Sequence, residues 1–100
     1  MRSFEEISND CITLINKKQS KYVRGENPHQ AFQEAALAGG ISEVNLILAR
    51  ISDKSQRIRN MYAEGHLGTA FDGANILEEA EDMINYGLFL VQILELESSK

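Results

Sequence analysis

The sequence predicts an all-α fold: a small bundle of three long helices and one short helix, in a single domain spanning residues 1–100. Apolar residues recur at helical spacing along most of the chain, whereas no segment keeps up an alternation of apolar and polar residues. Valine and threonine, which favour strands, are scarce. We therefore expect no strands, and one modest core rather than two domains.

The first helix is predicted from about residue 4 to about residue 20. Ser3 and Glu6 have the spacing of a capping box, in which each side chain accepts a hydrogen bond from the other's backbone amide. Apolar residues then follow at helical spacing: Phe4, Ile7, Cys11, Leu14 and Ile15. Because Cys11 lies within this stripe, we interpret it as a small core residue and not as a nucleophile.

The second and third helices are separated by a pair of glycines. The short second helix is predicted over residues 28–38, with Asn27 as its N-cap and Pro28 at its first position. Gly39 and Gly40 are expected to end it. Ser42 can cap the third helix, which ends before Gly65 and carries one apolar stripe: Val44, Ile47, Leu48, Ile51, Ile58 and Tyr62.

A glycine-rich loop from residue 66 to residue 74 precedes the fourth helix, for which Asp72 or Asn75 is the expected cap. This helix has the broadest apolar face, which we expect to enter the core: Ile76, Leu77, Ala80, Met83, Ile84, Gly87, Leu88, Leu90, Val91 and Leu94. Three long helices leave the ends of a bundle thinly covered, so self-association into a dimer or a higher oligomer is expected.

Charge and composition exclude several classes of function. The net charge of −5 has the wrong sign for a broad nucleic-acid surface. The longest apolar run, residues 87–91, is far shorter than the roughly 20 residues of a membrane span, and no signal-peptide core follows Met1, so a cytoplasmic location is expected. One cysteine forms no internal disulfide, and the glycines do not match a phosphate loop.

The polar faces of the last two long helices carry the candidate chemistry. On the fourth helix, Glu79 and Asp82 are three residues apart, so both carboxylates can reach one Mg²⁺ ion. Asn85, Tyr86 and Phe89 continue this face. The structural alternative is that these acidic residues form the ordinary solvated side of an amphipathic helix.

The third helix has a basic counterpart to this acidic face. Arg50, Lys54 and Arg57 could bind phosphate oxygens, while Asp53 joins the carboxylates of the fourth helix at a metal ion. The alternative is a set of exposed ion pairs within one helix. Neither histidine belongs to a Ser-His-Asp arrangement, so both are interpreted as surface residues.

Four short motifs in this order resemble small phage-encoded proteins of the nucleotide-modification-associated family, which are distantly similar to the MazG-like all-α nucleoside triphosphate pyrophosphatases. The resemblance extends over about residues 5–95. The motifs are Lys17-Lys18-x-x-x-Tyr22, Asn27-Pro28-x-x-x-Phe32, Arg50-x-x-Asp53-Lys54-x-x-Arg57 and Glu79-x-x-Asp82-x-x-Asn85-Tyr86.

The resemblance implies an oligomeric helical bundle with a Mg²⁺-dependent nucleotide site on its long helices. The implied metal ligands are Asp53, Glu79 and Asp82. Phosphate would be bound by Arg50, Lys54 and Arg57, and the base or sugar by Tyr22, Asn85 and Tyr86. No Glu-x-x-Glu, the family's first acidic motif, precedes the fourth helix: Glu34 has no second glutamate at that spacing, and Asp53 replaces that motif only by position. Nucleotide binding is therefore expected, with hydrolysis in doubt.

Two other classes of function are compatible with the same sequence. One is a non-catalytic acidic phage inhibitor that binds a host defence protein by charge complementarity or sequesters a nucleotide signal. The other is an oligomeric structural protein without a ligand. Mg²⁺-dependent ligand binding would distinguish the nucleotide protein from both.

Overall fold

The computed structural model describes the backbone of residues 1–22, 30–67, 70–71 and 74–99, and the side chains of residues 1–17, 33–67 and 75–99. In chain order the elements are α1 (Phe4–Tyr22), α2 (Gln30–Gly39), α3 (Glu43–Ala63), β1 (Ala70–Phe71), β2 (Ala74–Asn75) and α4 (Ile76–Ser98). α4 packs mainly against α3, while α1 packs against α4 and α2 against α3. The predicted all-α fold is confirmed.

Local capping signals place the helix starts. Ser3 Oγ accepts a hydrogen bond from the Glu6 amide at 3.1 Å, and the Ser3 amide donates to Glu6 Oε1 at 3.3 Å, as the capping box predicts. Ser42 caps α3 and Asn75 caps α4. The alternative cap Asp72, like Asn27 and Pro28 at the predicted start of α2, lies outside the described residues.

Glycines with positive φ follow α2 and α3. Gly40 has a φ of 68° and Gly65 a φ of 81°, the left-handed conformation in which a residue with a Cβ is strained. The predicted end of α2 at Gly39 and Gly40 and the predicted end of α3 before Gly65 are both confirmed.

The prediction that the chain has no strands is wrong between α3 and α4. β1 and β2 form a two-residue antiparallel ladder, in which Ala70 pairs with Asn75 and Phe71 pairs with Ala74. Only Asp72 and Gly73 stand between the two strands in the sequence, and Asp-Gly is a strong signal for a two-residue hairpin. The scarcity of β-branched residues argues against long strands and not against so short a ladder.

α3 and α4 run antiparallel and meet along a seam with a heptad-like spacing of three and four residues. The α3 side of the seam consists of Val44, Ile47, Ile51, Lys54, Ile58 and Met61, and the α4 side of Ile76, Glu79, Met83, Tyr86, Leu90 and Ile93. Each of these residues is buried or partly buried. Each helix thus contributes one charged residue to an otherwise largely apolar seam.

The expectation that the broad apolar face of α4 enters the core is wrong for most of that face. Leu77, Ile84, Leu88, Val91 and Leu94 are between 41% and 57% exposed. Instead, the neighbouring face that carries Glu79 and Asn85 packs inward. On α3, Leu48 and Tyr62 are likewise exposed, while Met61 is buried in their place. On this inward face Glu79 pairs with Lys54 and Arg57 of α3.

The buried core is small. Among the described side chains its apolar members are Cys11, Ala36, Ile47, Met61, Ile76 and Ile93. The radius of gyration is 14.9 Å, compared with about 13 Å for a typical 100-residue domain.

No single helix of the described segments is long and apolar enough to cross a membrane. One bent pair, Gln33–Gly39 with Glu43–Ala63 at 95°, passes the test of length and composition.

Candidate functional site between α3 and α4

The central feature of the seam is an ion-pair cluster formed by Lys54 and Arg57 of α3 with Glu79 and Asp82 of α4. Lys54 Nζ lies 2.9 Å from Glu79 Oε2 and 3.1 Å from Asp82 Oδ2. Arg57 Nη2 lies 3.2 Å from Glu79 Oε1. Helical spacing produces this arrangement, because residues three apart on each helix project toward the facing helix. Two cations and two anions thus meet at one point of the interface.

The cluster is buried at its centre and open at one edge. The Glu79 side chain is 7% exposed and that of Lys54 is 18% exposed. Asp82 is 23% exposed, whereas the Arg57 side chain is 53% exposed. Charge-neutral pairing explains why a carboxylate is retained in a seam, since an unpaired buried charge would strongly destabilise the fold. Arg57 gives the cluster its contact with solvent.

The electrostatic environment stabilises the charged form of Lys54. Burial acts to lower the pKa of its ammonium, but the contacts with Glu79 and Asp82 outweigh burial, and the net pKa is raised above its usual value of 10.5. Lys54 is therefore a cation throughout the physiological range, held between two carboxylates.

One buried oxygen atom of α4, Asn85 Oδ1, has no hydrogen-bond donor, and its side chain lies one helical turn beyond Asp82. Glu79 Oε2 is also buried, but it has a partner, because Lys54 Nζ lies 2.9 Å away and forms a hydrogen bond with Glu79. Buried polar atoms are normally satisfied, so Asn85 Oδ1 retains unused capacity to accept a bond or coordinate a cation.

A second set of ion pairs joins α1 to α4 and was not predicted from the sequence. Arg2 donates to Asp10 Oδ2 at 2.8 Å and to Glu81 Oε1 at 2.7 Å. Hydrogen bonds to these two carboxylates raise the pKa of Arg2. Cys11 is fully buried nearby, and burial raises the pKa of its thiol. Its predicted role as a small core residue is confirmed.

The structure brings four of the nine predicted site residues into contact: Lys54, Arg57, Glu79 and Asp82. Tyr86 lies partly buried in the same seam, and Asn85 is buried beside it. Arg50 and Asp53 are exposed on α3, and the side chain of Tyr22 lies outside the described residues. The alternative interpretation of these charges, as exposed pairs within single helices, is wrong for the cluster, whose pairs run between α3 and α4.

The predicted trio of metal ligands is not assembled. Within the described residues, no group of three or more histidine, cysteine, aspartate and glutamate side chains is placed to hold a metal ion. Asp53 therefore does not join Glu79 and Asp82. Within the cluster the two carboxylates neutralise Lys54, and the half-exposed Arg57 can attract an anion.

No protein-family model matches this sequence, and no curated protein or solved structure matches it. The resemblance to the nucleotide-modification-associated family thus stays a prediction from the motifs.

Proposed function

We propose that the protein binds a nucleotide together with Mg²⁺ at the ion-pair cluster between α3 and α4. One observation carries this proposal. Oxygens of Glu79 and Asp82 face a single cationic centre, Lys54 Nζ, at 2.9 and 3.1 Å. Two carboxylates aimed at one cation match the protein ligands that Mg²⁺ uses when phosphates and waters complete its coordination.

The oxygen atoms available in and beside the cluster support the binding of Mg²⁺. Asn85 Oδ1, one helical turn beyond Asp82, is a buried oxygen without a donor. A buried oxygen left without a partner destabilises a fold by about 1–3 kcal/mol, which a bound cation or a ligand donor would offset. The absence of a third carboxylate from the described part of the cluster limits the protein's share of ligands to two.

Each residue of the cluster would contact a different part of the ligand. Glu79 and Asp82 would hold Mg²⁺, which lowers the negative charge of a polyphosphate and orients it. Lys54, released from the carboxylates, and the half-exposed Arg57 would bind phosphate oxygens, with Arg50 one turn further along α3. Asn85 and Tyr86 would contact the base or sugar. The proposal is limited to binding, since no Glu-x-x-Glu precedes α4, where the pyrophosphatases that the chain resembles have their first acidic motif.

The test is the thermal stability of the purified protein with nucleoside triphosphates and with inorganic tripolyphosphate, each with and without Mg²⁺. A ligand at 100 times its Kd should stabilise the fold by about 2.7 kcal/mol. We expect stabilisation only when Mg²⁺ and phosphate are both present. Asp82→Asn should abolish it while leaving the helical circular dichroism intact.

The matched control is Glu78→Gln, which also removes one carboxylate from the first turns of α4, but at an exposed position outside the cluster. It should respond to ligand like the unmodified protein. Equal responses of the two variants, or no Mg²⁺-dependent response, would overturn the proposal. Stabilisation by cyclic dinucleotides without Mg²⁺ would instead favour sequestration of a nucleotide signal.

A further inference from the structure

The outer face of α4 is an apolar surface that the described chain leaves uncovered. It consists of Leu77, Ala80, Ile84, Gly87, Leu88, Val91 and Leu94. Its large members are at least 41% exposed. Scattered exposed apolar residues are ordinary, but a continuous stripe along one helix indicates a contact surface.

The spacing of this face is that of a second helix-packing seam. Leu77, Ile84 and Val91 recur every seven residues, and so do Ala80, Gly87 and Leu94, which lie three residues later in each repeat. α4 thus has one seam for α3 and another beside it for a further helix. A helix that is apolar on most of its circumference is typical of a position inside a bundle.

Ala80 and Gly87 leave room for close approach of a second helix. A Cβ added to Gly87 would meet no atom within 4 Å, so the space above this residue is open. Small residues at alternate seam positions lower the height of the surface there. A neighbouring helix can insert its larger side chains at those points.

The accessible surface of the chain is larger than that of a typical monomer of its mass. The accessible surface is 7278 Å², whereas a monomer of 11.2 kDa typically has about 5,700 Å². The excess, about 1,600 Å², exceeds the roughly 800 Å² that each partner buries in a standard interface. An interface of the size found in permanent dimers would therefore give this chain an ordinary surface.

We propose that a second copy of this chain covers the outer face of α4, so that the two α4 helices pack against each other across a two-fold axis. A two-fold contact uses the same patch on both copies, and the heptad-like stripe is suited to pairing with itself. An open groove of 420 Å³ continues the stripe toward α1 and is lined by Ile12, Ile15, Leu88 and Val91 among others. It can receive side chains of the second copy.

Charge distinguishes a second copy of this chain from a basic partner protein. Acidic Glu78, Glu81 and Glu95 flank the outer face, and each copy has a net charge of −5. Self-association of such chains is driven by apolar contact against charge repulsion, so it strengthens as salt screens the repulsion. Binding of a basic partner by the same surface would weaken with salt.

The test is sedimentation equilibrium of the full chain from micromolar to submillimolar concentration, at low and high salt. We expect twice the monomer mass of 11.2 kDa, with tighter association at high salt. Val91→Lys should shift the equilibrium to the monomer by at least tenfold in Kd. Leu37→Lys, at an 84% exposed leucine on α2, should leave the dimer unchanged. A monomer at all concentrations, or equal effects of the two variants, would overturn the proposal.

A second measurement covers the case in which Val91→Lys fails to fold. The midpoint of thermal unfolding of the unmodified protein should rise with protein concentration, because a dimer dissociates when it unfolds. A midpoint that is independent of concentration contradicts the dimer. Both measurements are made without Mg²⁺ or nucleotide, so their outcome is separate from that of the ligand test.

Discussion

Lys54 and Glu79 occupy facing positions of the α3–α4 seam, and their charged atoms lie 2.9 Å apart between apolar neighbours. The pair constrains how the two helices meet. Sliding α4 by one turn would place Glu79 against an apolar residue and leave Lys54 without this partner. Polar residues in helical seams commonly set register in this way, with a loss of stability relative to apolar packing.

Removing the charge of Lys54 should destabilise the fold. Lys54→Met keeps the aliphatic packing but leaves the Glu79 carboxylate, which is 7% exposed, with Arg57 alone. We expect a loss of about 1–3 kcal/mol in the free energy of unfolding, below the value for a wholly unpaired buried charge because Arg57 remains. Urea unfolding monitored by circular dichroism measures it. Arg59→Met, at an exposed position of α3, should change stability by less than about 0.5 kcal/mol.

Replacing both seam charges should recover much of that loss. In Lys54→Met combined with Glu79→Met, no buried charge is left and the apolar seam continues across the site. The double variant is expected to be at least as stable as Lys54→Met alone, with a coupling energy of roughly 1–3 kcal/mol between the two positions. Additive losses in the double-mutant cycle would mean that the contact in the seam contributes no interaction energy.

Local signals explain which parts of this structure the sequence predicts. The caps at Ser3 and Ser42 depend on residues within one turn, so each could be assigned from the sequence, whereas Asn75 is one of two caps predicted for α4, with Asp72. The inward face of α4 could not, because two neighbouring stripes of that helix both have seam spacing. Which stripe packs inward depends on Lys54 and Arg57, some 25 residues away in the chain, whose charges need the carboxylates.

The range of local spacing rules also explains which contacts of the site the sequence predicts. The structure brings Glu79 and Asp82 together on Lys54, as their spacing on one helix predicts, while their role as metal ligands stays a prediction. Asp53 was assigned to them across two helices, and no spacing rule fixes which side of α3 faces α4. The partnership of Arg2 with Glu81 joins residues 79 apart in the sequence, which no local pattern indicates.

The stabilising effect of Lys54 should disappear in alkaline solution. Because its folded-state pKa lies above the unfolded value of 10.5, its contribution is complete below that pH and is lost as the pH rises through the folded-state pKa. The stability difference between the unmodified protein and Lys54→Met should therefore be constant from neutral pH to about pH 9 and narrow above about pH 10.5. A difference that narrows already near neutral pH would mean that another group carries the effect.

Cys11 should be unreactive in the folded protein. Its side chain is fully buried, and burial, followed by the nearby Glu81 charge, raises the pKa of the thiol, so little reactive thiolate is present. Labelling with a thiol reagent is expected to follow global unfolding and to accelerate in urea in parallel with the loss of helical signal. Cysteine introduced at the exposed Ala49 is the control and should react at once without denaturant.

A substitution of Asn85 should affect the stability of the fold and the binding of the ligand in opposite directions. Its side chain is buried and its Oδ1 has no donor, so Asn85→Leu should remove an unsatisfied polar atom and raise the free energy of unfolding by up to about 1 kcal/mol. The same change should weaken the Mg²⁺-dependent response to nucleotide, because the proposed contact to the base or sugar is lost. Inorganic tripolyphosphate, which has neither group, should bind the variant and the unmodified protein alike. A variant that is markedly less stable would show that Asn85 is satisfied in solution, and an unchanged nucleotide response would remove it from the proposed site.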